Sequence, residues 1–255
     1  MTELDIFKLE NFLELLGVRN MVEFRVKLLA HISTGLPNFE MEYEFSFQSG
    51  TTLKIWLHFF LHSSGRYYLL KYIAELQYEG DRTKNERQTF YMNEMRITFR
   101  EGFNLLQGRY VEKMLTSKVN GAKTLYWVKI NFHDKDKYGV YLYLRFRSAP
   151  DYCLEKVLDL YPNILELSES SSRAAIIEGL KQGNREKVTI ISHCGPGISK
   201  LIEANPKMGT LRIETSPREV RRRNRIPIKS SGTAKKVAGP LTSTRQRHIP
   251  MKIAI

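Results

Sequence analysis

The sequence predicts an α+β fold: antiparallel meander sheets with flanking helices, ending in a disordered basic C-terminal tail. Three observations carry this. Apolar residues recur at helical spacing through the first 32 positions, the period drops to two from Phe39 onward, and after Thr215 periodicity stops.

Leu4, Phe7, Phe12, Leu15 and Leu16 mark an amphipathic helix within the first twenty residues, and a second helix follows over 22–32, closed by Gly35 and Pro37. From there Phe39, Met41, Tyr43, Phe45 and Phe47 alternate with Glu40, Glu42, Glu44 and Ser46, a pattern that buries one face of a strand and no face of a helix. Gln48-Ser49-Gly50 turns the chain, and Leu53, Ile55, Leu57, Phe59 and Leu61 continue the apolar face. Ser63-Ser64-Gly65 then leads into a third strand over 67–78. Turns this short join antiparallel neighbours.

The polar run 79–86 reads as a loop and 88–92 as a strand. Thr98 with Glu101 forms a capping box that opens a helix to Gln107, with Gly108 suited to its end. A second meander occupies 109–118, 124–132 and 140–146, its first turn carrying Asn120-Gly121. Helices are expected over 150–160 and 171–182, and short strands over 187–193, 198–204 and 210–214. The organisation expected is 1–87 for the helices and first meander, 88–215 for a second α+β domain, and 216–255 for the tail.

Charge is distributed unevenly. Of 40 Lys and Arg and 27 Asp and Glu, the last forty residues hold eleven bases and one acid, so they carry +10 of the formal +13. The expected nucleic-acid-binding residues are Arg218, Arg221, Arg222, Arg223, Arg225, Lys229, Lys235, Lys236, Arg245 and Arg247. A dense single-sign block attracts polyanions, and phosphate contacts of this kind position a partner without specifying its sequence. A merely solubilising tail, or one directed at an acidic protein or membrane surface, are the competing readings. The tail has no aromatic residue, so base stacking would fall to the body, where Tyr67, Tyr68, Tyr126, Trp127, Tyr141 and Tyr143 sit on predicted strands, most of them as core.

Other fragments fail on spacing. His58 and His62 lie four apart on a strand pattern with no third ligand, and read as solvent-facing. Asp134-Lys135-Asp136-Lys137-Tyr138-Gly139 opens like a calcium loop but places Tyr138 where an oxygen ligand belongs, and reads as a hairpin turn. Cys194-Gly195-Pro196-Gly197-Ile198-Ser199-Lys200 lacks the glycine before lysine that a phosphate loop needs, and reads as a turn between strands. His193 and Cys194, as strand neighbours, point to opposite faces and make no nucleophile–base pair. No metal or cofactor is expected. Cys153 and Cys194 read as reduced thiols, no run reaches the ~18–20 apolar residues of a membrane helix, and the N-terminus lacks a signal-peptide pattern, so a cytoplasmic protein is expected.

Five motifs occur in order: Gln88-Thr89-Phe90-Tyr91, then 103–111 (Phe-Asn-Leu-Leu-Gln-Gly-Arg-Tyr-Val), then 127–132 (Trp-Val-Lys-Ile-Asn-Phe), then Leu180-Lys181-Gln182-Gly183-Asn184-Arg185, and Ile202-Glu203-Ala204-Asn205-Pro206. In these the chain from Gln88 to Glu214 resembles a domain of unknown function widespread in Bacteroidetes, often encoded on conjugative and other mobile elements. The pattern departs around Arg145–Asp151 and in the more basic tail. The resemblance implies no catalytic residues and no ligand. It implies an accessory, non-enzymatic role in handling nucleic acid, alone or with a DNA-processing partner. The alternative is a protein–protein adaptor whose tail only solubilises it.

Overall fold

The computed structural model describes residues 1–47, 50–117, 120–149, 151–192 and 195–215. Helix α1 (Glu3–Leu16) starts on a capping box in which the Thr2 hydroxyl accepts from the Asp5 N–H and the Asp5 carboxylate accepts from the Thr2 N–H. It stops at Gly17, whose φ of 116° lets the backbone turn out of the helix against Phe99. Helix α2 (Met21–Ser33) follows, joined to α1 by the Arg25–Glu10 ion pair.

Strands β1 (Asn38–Phe47), β2 (Thr51–Leu61), β3 (Tyr67–Tyr78) and β4 (Glu86–Tyr91) form an antiparallel sheet in that order. The register sets Met41 opposite Leu57 and Phe45 opposite Leu53, so the alternation in the sequence becomes one buried face. The boundary expected between residues 87 and 88 falls inside β4, which pairs with β3 from Leu76–Glu86 to Lys71–Tyr91, and the chain up to Ser216 forms one compact unit.

Helix α3 (Phe99–Leu106) opens on the Thr98–Glu101 capping box, with both reciprocal hydrogen bonds made. Strands β5 (Val111–Thr116), β6 (Lys123–Lys135) and β7 (Tyr141–Arg147) build a second antiparallel sheet. Helices α4 (Leu154–Asp159) and α5 (Ser170–Lys181) lead to a third, made of β8 (Glu186–Ser192), β9 (Gly195–Asn205) and β10 (Thr210–Thr215), with β9 central. The fold is α+β with antiparallel meanders. One local expectation changes: Gly195, Pro196 and Gly197 begin β9 and do not form a turn. A Cβ on Gly197 would stand 2.6 Å from Thr189 Cγ2, so glycine admits the close approach of β8.

The second sheet sends residues into two cores, while Met114, Leu125, Leu142 and Leu144 stay exposed. Val111, Val128 and Ile130 join the core under α1, α2, α3 and the first sheet, built on Leu13, Leu28, Leu57, Tyr72 and Phe99. Tyr110 and Trp127 join the core of α4, α5 and the third sheet, built on Leu158, Leu180 and Ile202. Trp127 is completely buried and meets Tyr152 edge-on at 5.4 Å. Among the described residues no helix is long and apolar enough to cross a membrane.

Candidate nucleic-acid interface

The basic positions singled out in the sequence, Arg218 through Arg247, lie outside the described residues, as do the tail's expected disorder, His193 and Cys194. The aromatic residues expected on strands divide. Tyr67 and Trp127 are core, and Tyr126, Tyr141 and Tyr143 are partly buried against the first core. Of the six, Tyr68 alone is classed as exposed.

A different surface gathers cations and rings. Strand alternation sends Trp56, His58 and Phe60 of β2, Lys71 and Ile73 of β3, and Arg87, Thr89 and Tyr91 of β4 away from the buried face of the first sheet. Trp56, Phe60 and Ile73 belong to neither core. Alongside β4 stands the β6–β7 hairpin, whose turn is tied by Asp136 Oδ1 accepting from the Tyr138 and Val140 N–H groups at 2.8 and 2.9 Å. That is the turn expected in place of a calcium loop. Between sheet and hairpin lies a groove of about 520 Å³, lined by Lys71, Arg87, Lys135, Thr89, Tyr91 and Tyr138 among others, with three cations and no acid. No ion pair engages those three cations among the described residues. They lie over rings instead: Arg87 is 5.1 Å from the Trp56 ring centre, Lys71 6.0 Å from Tyr91, and Lys135 4.2 Å from Tyr141. At the hairpin tip Lys137 sits 4.9 Å from the ring of Tyr138, which is 73% exposed. The opposite edge of the face is acidic, where exposed Glu40 and Glu42 of β1 reach His58 and Trp56 at 3.1 Å each. His58 thus lies on the outward face as expected, partly covered by its neighbours, and burial lowers its pKa despite the nearby Glu40 carboxylate. His62 pairs with Ser64, and no group of three or more His, Cys, Asp or Glu that could hold a metal ion occurs among the described residues.

One buried glutamine positions the groove. Gln88 is 1% exposed, and its side-chain amide acts as a short piece of strand for β7: Nε2 donates to the Tyr141 carbonyl at 2.9 Å and Oε1 accepts from the Tyr141 N–H at 3.0 Å. The Tyr141 hydroxyl donates to Glu86 at 2.8 Å. Residues 53 apart in sequence thereby clamp the hairpin beside β4.

The remaining motifs meet elsewhere, and they lock the fold. Asn104, Gln107 and Arg109 come from the end of α3, Gly183, Asn184 and Arg185 from the end of α5, and Glu203 from β9. Asn104 donates to the Gln182 carbonyl at 2.8 Å and to Asn184 Oδ1 at 3.0 Å, and accepts from Arg109 at 2.7 Å. Arg109 also donates to Gln107. The buried Glu203 carboxylate takes Arg185 at 3.0 Å and Arg212 at 3.1 Å, with Arg109 Nε 4.0 Å away, and Glu214 bridges Arg185 and Arg212 again. Burial pushes the Arg109 guanidinium down to about 10, the Arg185 charge adding to the effect and Glu203 opposing it. Each acid is held by cations, and the cluster contains no nucleophile. Its chemistry is that of an internal fastening.

Sequence reading missed Lys71, Arg87, Lys135 and Tyr138. Alternation about Tyr72, Ala74 and Leu76 carries a signal for Lys71, whereas Arg87 falls just before the strand expected over 88–92. Nothing local said that a hairpin whose Lys135 lies 48 residues beyond Arg87 would complete a groove with them. No family model, curated protein or solved structure matches the chain.

Proposed function

We propose that the protein is a non-enzymatic, cytoplasmic accessory protein of a mobile element that binds nucleic acid. The groove between the first sheet and the β6–β7 hairpin seats the phosphate backbone, and the basic tail adds salt-sensitive affinity. The observation that carries this reading is the groove lining, in which Lys71, Arg87 and Lys135 converge without an acid or an ion pair among the described residues. Cations that make no ion pair among the described residues are available for phosphate, and each contact releases counterions on binding. The mobile-element setting is supported by the resemblance alone.

The test is a titration of the full chain with DNA and with RNA over a series of salt concentrations, beside a Lys71→Gln/Arg87→Gln/Lys135→Gln variant. The expected result is affinity that falls steeply with salt and is about tenfold or more weaker in the variant at moderate ionic strength. Absence of salt-dependent affinity for either polymer overturns the reading. It would favour the adaptor alternative, which a second feature supports: an apolar groove of about 580 Å³ between α1 and β3, walled by Leu9, Phe12, Phe60 and Leu70 and rimmed by Lys8, Arg96 and the Asp5–Arg66 ion pair, suited to an apolar segment of a DNA-processing protein.

A further inference from the structure

Phosphates alone do not account for this surface. A groove built only to hold a backbone needs cations, yet here the cations are interleaved with rings on a sheet face whose Trp56, Phe60 and Ile73 belong to neither core among the described residues. Trp56 lies beneath Arg87, Tyr91 beside Lys71, and Tyr138 beneath Lys137, and Tyr138 projects from the hairpin tip with 73% of its surface free. Further along the same face, Phe60 and Tyr68 pack at 5.8 Å, with His62 edge-on to Tyr68. In a duplex the base faces are stacked on one another and hidden, so a protein ring finds only backbone. In a single strand each base offers a π-face, and stacking on tyrosine or tryptophan is tolerant of sequence because every base has one. The same rings already carry cations, and a base sliding over Tyr138 exchanges one ring partner for another without uncovering a buried polar group.

Resting on the nucleic-acid reading above, we infer that the ligand of this face is single-stranded nucleic acid, with unpaired bases stacking on Tyr138 and along the Trp56–Tyr91 surface while Lys71, Arg87 and Lys135 hold the phosphates. The acidic margin of Glu40 and Glu42 bounds the path on the β1 side, Glu75 opposite Arg87 bounds it toward the far end of β3, and the backbone is kept over Lys71, the end of β4 and the hairpin.

The experiment uses the full chain and three fluorescently labelled probes at one salt concentration: oligo-dT, oligo-rU, and a DNA hairpin duplex of matched length. Affinity for the single strands is expected to exceed that for the duplex by about tenfold. Tyr138→Ala should lower single-strand affinity about tenfold and leave duplex affinity unchanged, and Tyr138→Phe, which keeps the ring, should restore it. Single-strand binding should also change the emission of Trp56, a signal lost in Trp56→Phe, because Trp127 is wholly buried. Far-UV circular dichroism confirms that each variant is folded. Equal affinity for strand and duplex, with Tyr138→Ala affecting neither, overturns this inference and leaves the broader nucleic-acid reading standing. Failure to bind any of the three probes overturns both. The dT and rU arms separate a DNA ligand from an RNA ligand.

Discussion

Glu203 decides how three arginines are held. It is 8% exposed, and it faces Arg185 and Arg212 directly, with Arg109 at the edge of its reach. Arg109 is the group with most to lose. Its guanidinium is largely out of water, and the positive charge of Arg185 already works against it. Glu203→Gln keeps the shape and removes the charge, leaving a buried cation without its counter-charge. Breaking a buried pair from one side is costly, because the remaining partner cannot recover its hydration. We expect Glu203→Gln to cost about 2–4 kcal/mol in urea unfolding at neutral pH. Arg212→Gln should cost less than about 1 kcal/mol, since that side chain is mostly exposed and solvent already screens it. Similar small costs for both substitutions would show that the cluster is a surface feature and not a fastening.

At the scale of elements, the seam between β4 and β7 is unusual because side-chain atoms make it. Gln88 supplies both a donor and an acceptor to the main chain of Tyr141, whose own ladder with β6 is displaced by the irregularity between Asn131 and Lys135. Gln88→Leu would fill nearly the same volume and remove the partners of the Tyr141 N–H and carbonyl at a part-buried seam. That should cost about 2–3 kcal/mol of stability, seen as a lower urea midpoint. It should also weaken nucleic-acid binding in the folded variant, by letting the hairpin move from the sheet. The same seam shows where reading the sequence stops. The strands of the first meander were legible because Phe39, Met41, Tyr43 and Phe45 alternate strictly with polar residues, and α3 was legible because Thr98 and Glu101 announce its start. Pairing was less so. The run from Gln88 looks like a strand, yet nothing in it says that it completes the first sheet, because its partners on β3 are chosen by burial of Phe90 against Tyr72. A groove whose walls come from Lys71, Arg87 and Lys135 depends on such choices twice over, and so it was invisible. The motifs from Asn104 to Glu203 were conspicuous for the opposite reason: amide side chains, a positive-φ glycine and buried charges form an unusual set of residues, even though their work is structural.

For the whole molecule, the open question is how a near-neutral folded unit and a polycationic tail share one polymer. The first 215 residues carry +3 and the last forty +10, so a bare count of charge assigns the tail nearly all of the attraction. Attraction and discrimination separate physically. Charges that track the backbone contribute to the salt dependence in proportion to the phosphates they neutralise, with a slope of about 0.9 per contact on duplex DNA and about 0.7 on a single strand, whereas stacking leaves that slope unchanged. Replacing Arg221, Arg222, Arg223 and Arg225 with Gln in the full chain should reduce the slope of log affinity against log salt by about 3, on single strand and duplex alike. The single-strand preference should survive, since no ring has been touched. The groove variant Lys71→Gln/Arg87→Gln/Lys135→Gln should reduce the slope by about 2 on single strands and by less on duplex, because only a strand with unpaired bases is drawn down onto the sheet. Fluorescence anisotropy at several salt concentrations, run on both variants and on their combination, measures all three quantities. If the tail variant instead abolishes the preference for single strands, discrimination lies in the tail, and the sheet face with its interleaved cations and rings is not where the polymer is recognised.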